Sequence, residues 1–223
     1  MILLEATTIH WWQIVWAHLN SWDQYLLLQI NTEWTSPFLD RIFPWWREAT
    51  TWVPLYFFLV FLLFWNFGWK AWPWMVGLIL TVVITDQVSS TFLKNYFNRP
   101  RPCSDPVIGD YVRLLLNRCP SSGSFTSSHA TNHFGVACFV FFTMKDYFKK
   151  WGYLLFFWAA TICYGQLYVG VHYPLDVLGG ALLGSLIGLA TASFFNRRIG
   201  LPALRIASKP ANESFAEPDF SEN

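Results

Sequence analysis

The chain has 223 residues, of which 54% are hydrophobic, 20% aromatic and only 13% charged, and its formal net charge is +1. Ordinary soluble domains carry about 25% charge, so this composition describes a membrane chain and excludes a disordered, collagenous or disulfide-knot protein. A charge so close to neutral offers no polyanion-binding surface, and nucleic acid is not an expected ligand.

Residues 1–48 mix apolar and polar types, with Trp11, Trp12, Gln13, Trp16, His18, Asp23 and Gln24 close together. Amphipathic helices at the membrane interface fit that mixture, with a tilted sixth span as the alternative. The first basic residue is Arg41 and no small-residue cleavage site follows an apolar run, so no removable signal peptide is expected. Further on, Asp, Glu, Lys and Arg are absent from 49–69, 71–85, 119–144, 151–175 and 177–196. Each stretch is near the roughly 20 residues that cross a hydrocarbon core as a helix. Five spans follow, at about 50–67, 71–93, 126–143, 150–168 and 175–195, and the fold class is an all-α polytopic transmembrane bundle. Trp65, Trp69, Trp72 and Trp74 flank the turn at Lys70, where a headgroup-level aromatic belt belongs. Gly180, Gly184 and Gly188 leave one face of the last span bare for close helix packing, with a homodimer contact as the second reading. Residues 199–223 read as a polar, disordered tail. Its Asn212, Glu213 and Ser214 match a glycosylation triplet too short to carry weight.

Alternating spans put Lys70, Lys145, Lys149, Lys150, Arg197 and Arg198 on one side, which the positive-inside rule makes cytoplasmic. The 94–125 and 167–174 loops fall on the other side, although Lys94, Arg99, Arg101, Arg113 and Arg118 make that side partly basic too. Cys103 and Cys119 share the 94–125 loop. A bridge between them would add about 3 kcal/mol and persist only in an oxidising compartment, which again points outward; two free thiols are the alternative.

Three polar clusters gather on this outward side. Lys94, Arg99 and Arg101 are separated by aromatics and held extended by Pro100 and Pro102. Alone, they would serve as snorkelling anchors. Residues 121–129, rich in Ser and ending in His129, form a helix start whose N–H groups and dipole favour an anion. His133 lies one turn on and reads as a packing residue. In the third cluster, Pro174 suits a first helical turn, placing His172 just before the helix and Asp176 inside it. A carboxylate there can accept His Nδ1–H and raise the nucleophilicity of Nε2. Cations, N–H donors, an oriented nucleophile and an acid are the requirements of phosphoryl transfer.

The order Lys, six residues, Arg-Pro; then Ser, one residue, His; then Gly-Val-His with Asp four residues later resembles the type 2 phosphatidic acid phosphatase family of membrane enzymes. The resemblance covers about residues 50–195, within a transmembrane phosphatase domain at 49–198. It implies that His172 is the nucleophile that becomes phosphorylated, that Asp176 orients it, and that His129 protonates the leaving oxygen. It further implies that Lys94, Arg101, Ser127 and the Ser128 backbone hold the phosphate, with no metal and no cofactor. Ser128 stands where the family most often has Gly. Gly165 and Gln166 stand where it has Ser-Arg, and Gln166 brings no charge. Arg99 could compensate, the headgroup could differ, or turnover could be weak.

The leading expectation is therefore a metal-independent lipid phosphatase of the inner membrane with a periplasmic site. Its substrate would be an isoprenoid diphosphate, phosphatidylglycerol phosphate, phosphatidic acid or a lipid A phosphate. The competing readings are a lipid phosphotransferase using the same site, a weakly active phosphate-lipid-binding protein, and a metalloenzyme built on His129, His133, His172 and Asp176. The last conflicts with the adjacent Lys and Arg charges.

Overall fold

The computed structural model describes residues 10–201, which are helices and loops without a strand. The polar tail from residue 202 onward, with the 212–214 triplet, lies outside the described residues, as do residues 1–9. Helix α1 (Trp11–Leu28) runs into a π-helical turn at Gln29–Glu33. Ser36 then caps α2 (Pro37–Trp46), accepting from Leu39 N–H at 3.3 Å, with Pro37 at the first helical position where its missing N–H is harmless.

Helix α3 (Val53–Phe67) stops at Gly68, whose φ of 56° opens the turn around Lys70. Helix α4 (Trp72–Asp86) passes through a π-helical stretch, Gln87–Leu93, into the short α5 (Lys94–Phe97). The chain leaves it at Asn98, a left-handed residue ahead of Pro100. The bundle is completed by α6 (Ser128–Phe148), α7 (Tyr153–Tyr168) and α8 (Pro174–Arg198). These helices coincide with the five expected spans to within a few residues. By length and apolarity alone, two helical stretches among the described residues suffice to cross a membrane, Ala49–Ser104 and Pro174–Arg198.

Side-chain contacts fix the directions. Trp52 at the start of α3 meets Trp158 of α7, whereas Phe67 at its end meets Tyr147 at the end of α6. Near its start, α4 donates from Trp74 Nε1 to Thr143 Oγ1 of α6 at 2.8 Å. The helices therefore alternate between two ends. One end collects the 94–127 and 169–173 loops with α1 and α2, and the other collects the Lys70 turn, the Lys149–Gly152 turn and the end of α8.

Helices α6 and α8 pack most closely. A Cβ at Gly184 would lie 2.1 Å from Thr131 O, and one at Gly188 would lie 2.3 Å from Gly135 O, so only glycine permits this approach. The glycine face is thus occupied within the chain. Phe57, Phe61, Trp65 and Trp69 are exposed, as lipid-facing side chains are. Trp74 differs from its neighbours in the expected belt, because it is buried against Phe139 in the apolar core of the far end.

Candidate active site

The three polar clusters meet at the loop end. Gly170, with φ of 82°, turns the chain sharply after α7 and delivers His172 to the start of α8. His172 is 2% exposed. Arg101 Nη1 lies 3.2 Å from its Nε2. A guanidinium only donates, so Nε2 presents its lone pair and the proton of the neutral imidazole sits on Nδ1. Burial, with Arg101 pushing the same way and Asp176 opposing, moves the His172 pKa down to about 4.

Arg101 is itself placed by the loops it joins. Its Nε donates to Ser122 O at 2.8 Å, its Nη2 to Ser122 Oγ at 3.0 Å and its Nη1 to Val171 O at 3.0 Å. Burial, with repulsion from Arg47, lowers its pKa to about 10 against the pull of Asp176. Cys103 and Cys119 are joined, with their Cα atoms 5.9 Å apart, and this bridge closes the loop that follows Arg101.

Asp176 lies beside His172, but its Oδ2 is 3.6 Å from Nδ1, beyond hydrogen-bond distance. The carboxylate instead accepts from Tyr173 N–H at 2.8 Å, from Ser124 Oγ and from Arg99 Nη1 at 2.7 Å. Arg99 continues to Asp23 Oδ2 of α1, again at 2.7 Å, and its guanidinium stacks on the Tyr173 ring. Its charge is already neutralised by two buried carboxylates, so Arg99 sits in a helix-joining network, apart from the expected phosphate contacts. Asp23 Oδ1 also accepts from Leu175 N–H at 2.8 Å, which pins α1 to the first turn of α8.

Ser127 caps α6, its Oγ accepting from Ala130 N–H at 3.4 Å. Ser128 turns its Oγ toward Ser89 and Ser90 on the π-helical stretch, at 3.0 and 2.8 Å. This accommodates a side chain where the family most often has Gly, and it leaves the Ser128 N–H aimed from the helix start. His129 and His133 stack in parallel on α6. His133 donates through Nδ1 to the His129 carbonyl at 2.7 Å and packs on Trp158, as a packing residue does. Lys94 is buried and makes no ion pair among the described residues. Gln166 is fully buried, with its Oε1 accepting from Arg47 Nε at 3.2 Å and its Nε2 without a partner.

Sequence reading missed Asp23, Asn31 and Arg47. Asn31 is fully buried on the π-turn after α1, donating to Arg113 O and Tyr168 O and accepting from Arg113 N–H. The signal for them was weak, because Asp23 and Asn31 lie in a segment of mixed polar and apolar residues, where a paired buried group looks like any other polar residue.

Fold and site together define an integral membrane protein whose cations, helix start and histidines converge at one end of a helix bundle. Residues 70–199, more than half of the chain, match the PAP2 superfamily, and the chain belongs to that superfamily. It is 35% identical over 173 residues to the lipid A 4'-phosphatase of Bacteroides thetaiotaomicron, covering 76% of this chain and 75% of that one. The crystal structure of Aquifex aeolicus LpxE superposes with a TM-score of 0.55 at 29% identity, covering 76% of this chain and 93% of that one. The transmembrane PAP2 type phosphatidylglycerolphosphate phosphatase of Bacillus subtilis gives a TM-score of 0.62 at 20% identity, covering 81% and 88%, and this likeness concerns the fold.

Proposed function

We propose that the protein is a metal-independent lipid phosphatase that removes a phosphate monoester from a lipid A-type glycolipid at the periplasmic face of the inner membrane. The observation that carries this reading is the position of His172, whose Nε2 lies 3.2 Å from the Arg101 guanidinium and whose Nδ1 lies 3.6 Å from Asp176 Oδ2. In the proposed step, Arg101 shifts from Nε2 onto the phosphate oxygens and Nε2 attacks phosphorus. The phosphorus–oxygen bond to the lipid breaks, and the leaving oxygen takes its proton from His129. Water, deprotonated by His129, then cleaves the phosphohistidine, releasing phosphate and regenerating His172. Lys94, Arg101 and the free N–H groups at the start of α6 spread the charge of the equatorial oxygens. As His172 charges, Asp176 stabilises it electrostatically from 3.6 Å.

Metal independence is supported by the donor set, since a divalent cation at His172 would face Arg101 at once. The lipid A preference is supported by the 35% identity to a lipid A 4'-phosphatase. The outward orientation is supported by the joined Cys103 and Cys119. The test is phosphate release by the purified protein from a panel of lipid A, phosphatidylglycerol phosphate, phosphatidic acid and an isoprenoid diphosphate, each with a chelator. Lipid A is expected to be turned over fastest, with no loss on chelation. His172→Ala is expected to form no phosphoenzyme, and normal turnover by that variant would sink the covalent route.

A further inference from the structure

Helix α2 reaches the site through one residue that the motifs do not contain. Trp46 Nε1 donates to Thr161 Oγ1 of α7 at 3.0 Å, and Phe43 packs on Tyr164 and Tyr168, so α2 is docked on both sides of Gly165. A Cβ at Gly165 would lie 3.1 Å from Phe43 Cδ1 and 3.3 Å from Arg47 Cβ, and the missing side chain is what lets α2 approach. Arg47 follows at the end of the helix and is 7% exposed. Its Nε is held by Gln166 Oε1, and its Nη1 reaches Glu48 at 2.9 Å, but Glu48 is itself half-exposed.

Burying a guanidinium costs several kcal/mol unless strong partners compensate, and one neutral amide with one half-exposed carboxylate compensates it only in part. Arg47 also sits within Coulombic reach of Arg101 and His129, which repel it whenever they are charged. Lys94 acts on both His172 and His129. Arg47 thus acts on His129, Arg101 on His172 and Lys94 on both, and with the nearby Asp176 already engaged by Arg99 these buried cations are unfavourable until a dianion enters between them. The buried, unpartnered Nε2 of Gln166 adds a donor beside Arg47.

We propose that Arg47 is a phosphate-binding residue of this site, supplied from α2 and aimed by Gln166 in a space kept open by Gly165. Gln166 is then a positioning residue, and the charge that the motif lacks at 166 enters from position 47. The catalytic consequence rests on the phosphatase reading above, whereas phosphate binding does not.

The test uses the full chain in detergent, with inorganic phosphate affinity measured by calorimetry, lipid A hydrolysis measured as kcat and KM, and thermal unfolding as the fold control. Arg47→Gln should weaken phosphate binding roughly 10- to 100-fold, as loss of a hydrogen bond to a charged group does. It should lower kcat/KM by about 10²- to 10³-fold with an unchanged unfolding midpoint. Adding Gln166→Arg to Arg47→Gln should recover much of both, because the cation returns to the same space from the other side. Should Arg47→Gln not fold, Arg47→Lys carries the test, since it keeps the charge and loses the fork, and phosphate affinity should fall several-fold. Wild-type phosphate affinity in the folded Arg47 variant overturns the proposal. So does a loss that tracks the unfolding midpoint and is not rescued by Gln166→Arg. Arg47-dependent phosphate binding by a protein that hydrolyses none of the lipids would leave this proposal standing and remove the phosphatase reading.

Discussion

At the loop end of the bundle, Asp23, Arg99 and Asp176 join α1, the 94–127 loop and α8 through ion pairs of 2.7 Å, and Asn31 ties α1 to Arg113 and the end of α7. At the far end, Leu63, Ala71, Phe139, Met144, Ala192 and Phe195 pack around Trp74, and the one polar tie among these side chains is Trp74 to Thr143. Apolar packing holds helices together but tolerates small shifts. Charge-assisted hydrogen bonds have a narrow range of distance and angle, and they hold a nucleophile in place. The far end therefore supplies adhesion and the loop end supplies geometry, at the cost of burying charges.

The comparison breaks most readily at Asp23. Asp23→Ala leaves Leu175 N–H unpaired and Arg99 with one carboxylate, and the variant should lose about 3–5 kcal/mol of stability. Thermal unfolding in detergent checks it, and lipid A turnover should fall as well because Arg99, which holds Asp176, loses one of its two carboxylate partners. Replacing Cys103 and Cys119 by Ser frees a loop with a sequence separation of 16 and should cost about 3 kcal/mol. That loss should appear as a lower midpoint that reductant also produces in the wild type and does not deepen in the variant.

A smaller effect should depend on pH. The His172 pKa falls from 6.5 to about 4 on folding, so between those values the folded state binds fewer protons than the unfolded one. Stability from this group is fully present above about pH 6.5 and is lost as pH falls toward about 4. His172→Gln should flatten that decline in a pH series of unfolding midpoints. The smallest effect is expected at the far end, where Trp74→Phe removes one hydrogen bond worth about 1 kcal/mol and should leave kcat and KM unchanged. If Trp74→Phe lowered turnover as much as Asp23→Ala, the division between the two ends would be lost.

Much of the bundle was legible in the chain. Charge-free runs marked helices α3, α4, α6, α7 and α8, and the turn at Lys70 followed from their spacing. His172, Asp176, Lys94 and Arg101 stood out as polar residues in an apolar chain, and the folded structure brings them together. Arg99 was read as a spare phosphate cation because its motif is basic, yet its partners lie 76 and 77 residues away, on α1 and α8. Arg47 was passed over because residues 1–48 read as interfacial helices, and its contact with Gln166 spans 119 residues.

Local pattern determined what this chain must do with its backbone and where ionisable residues were too costly to be incidental: apolar runs become helices, prolines and Gly170 end them, and a Ser-rich start exposes N–H groups. Those consequences depend on neighbours a few residues apart. Only the tertiary structure decided which charge faces which. Arg99 and Arg47 carry the same guanidinium, and one is neutralised by two buried carboxylates while the other is buried within Coulombic reach of His129 and Arg101, with a neutral amide and the half-exposed Glu48 as its partners. A charge acquires its role from the charges and dipoles within a few ångströms of it, and in a bundle those neighbours come from distant parts of the chain.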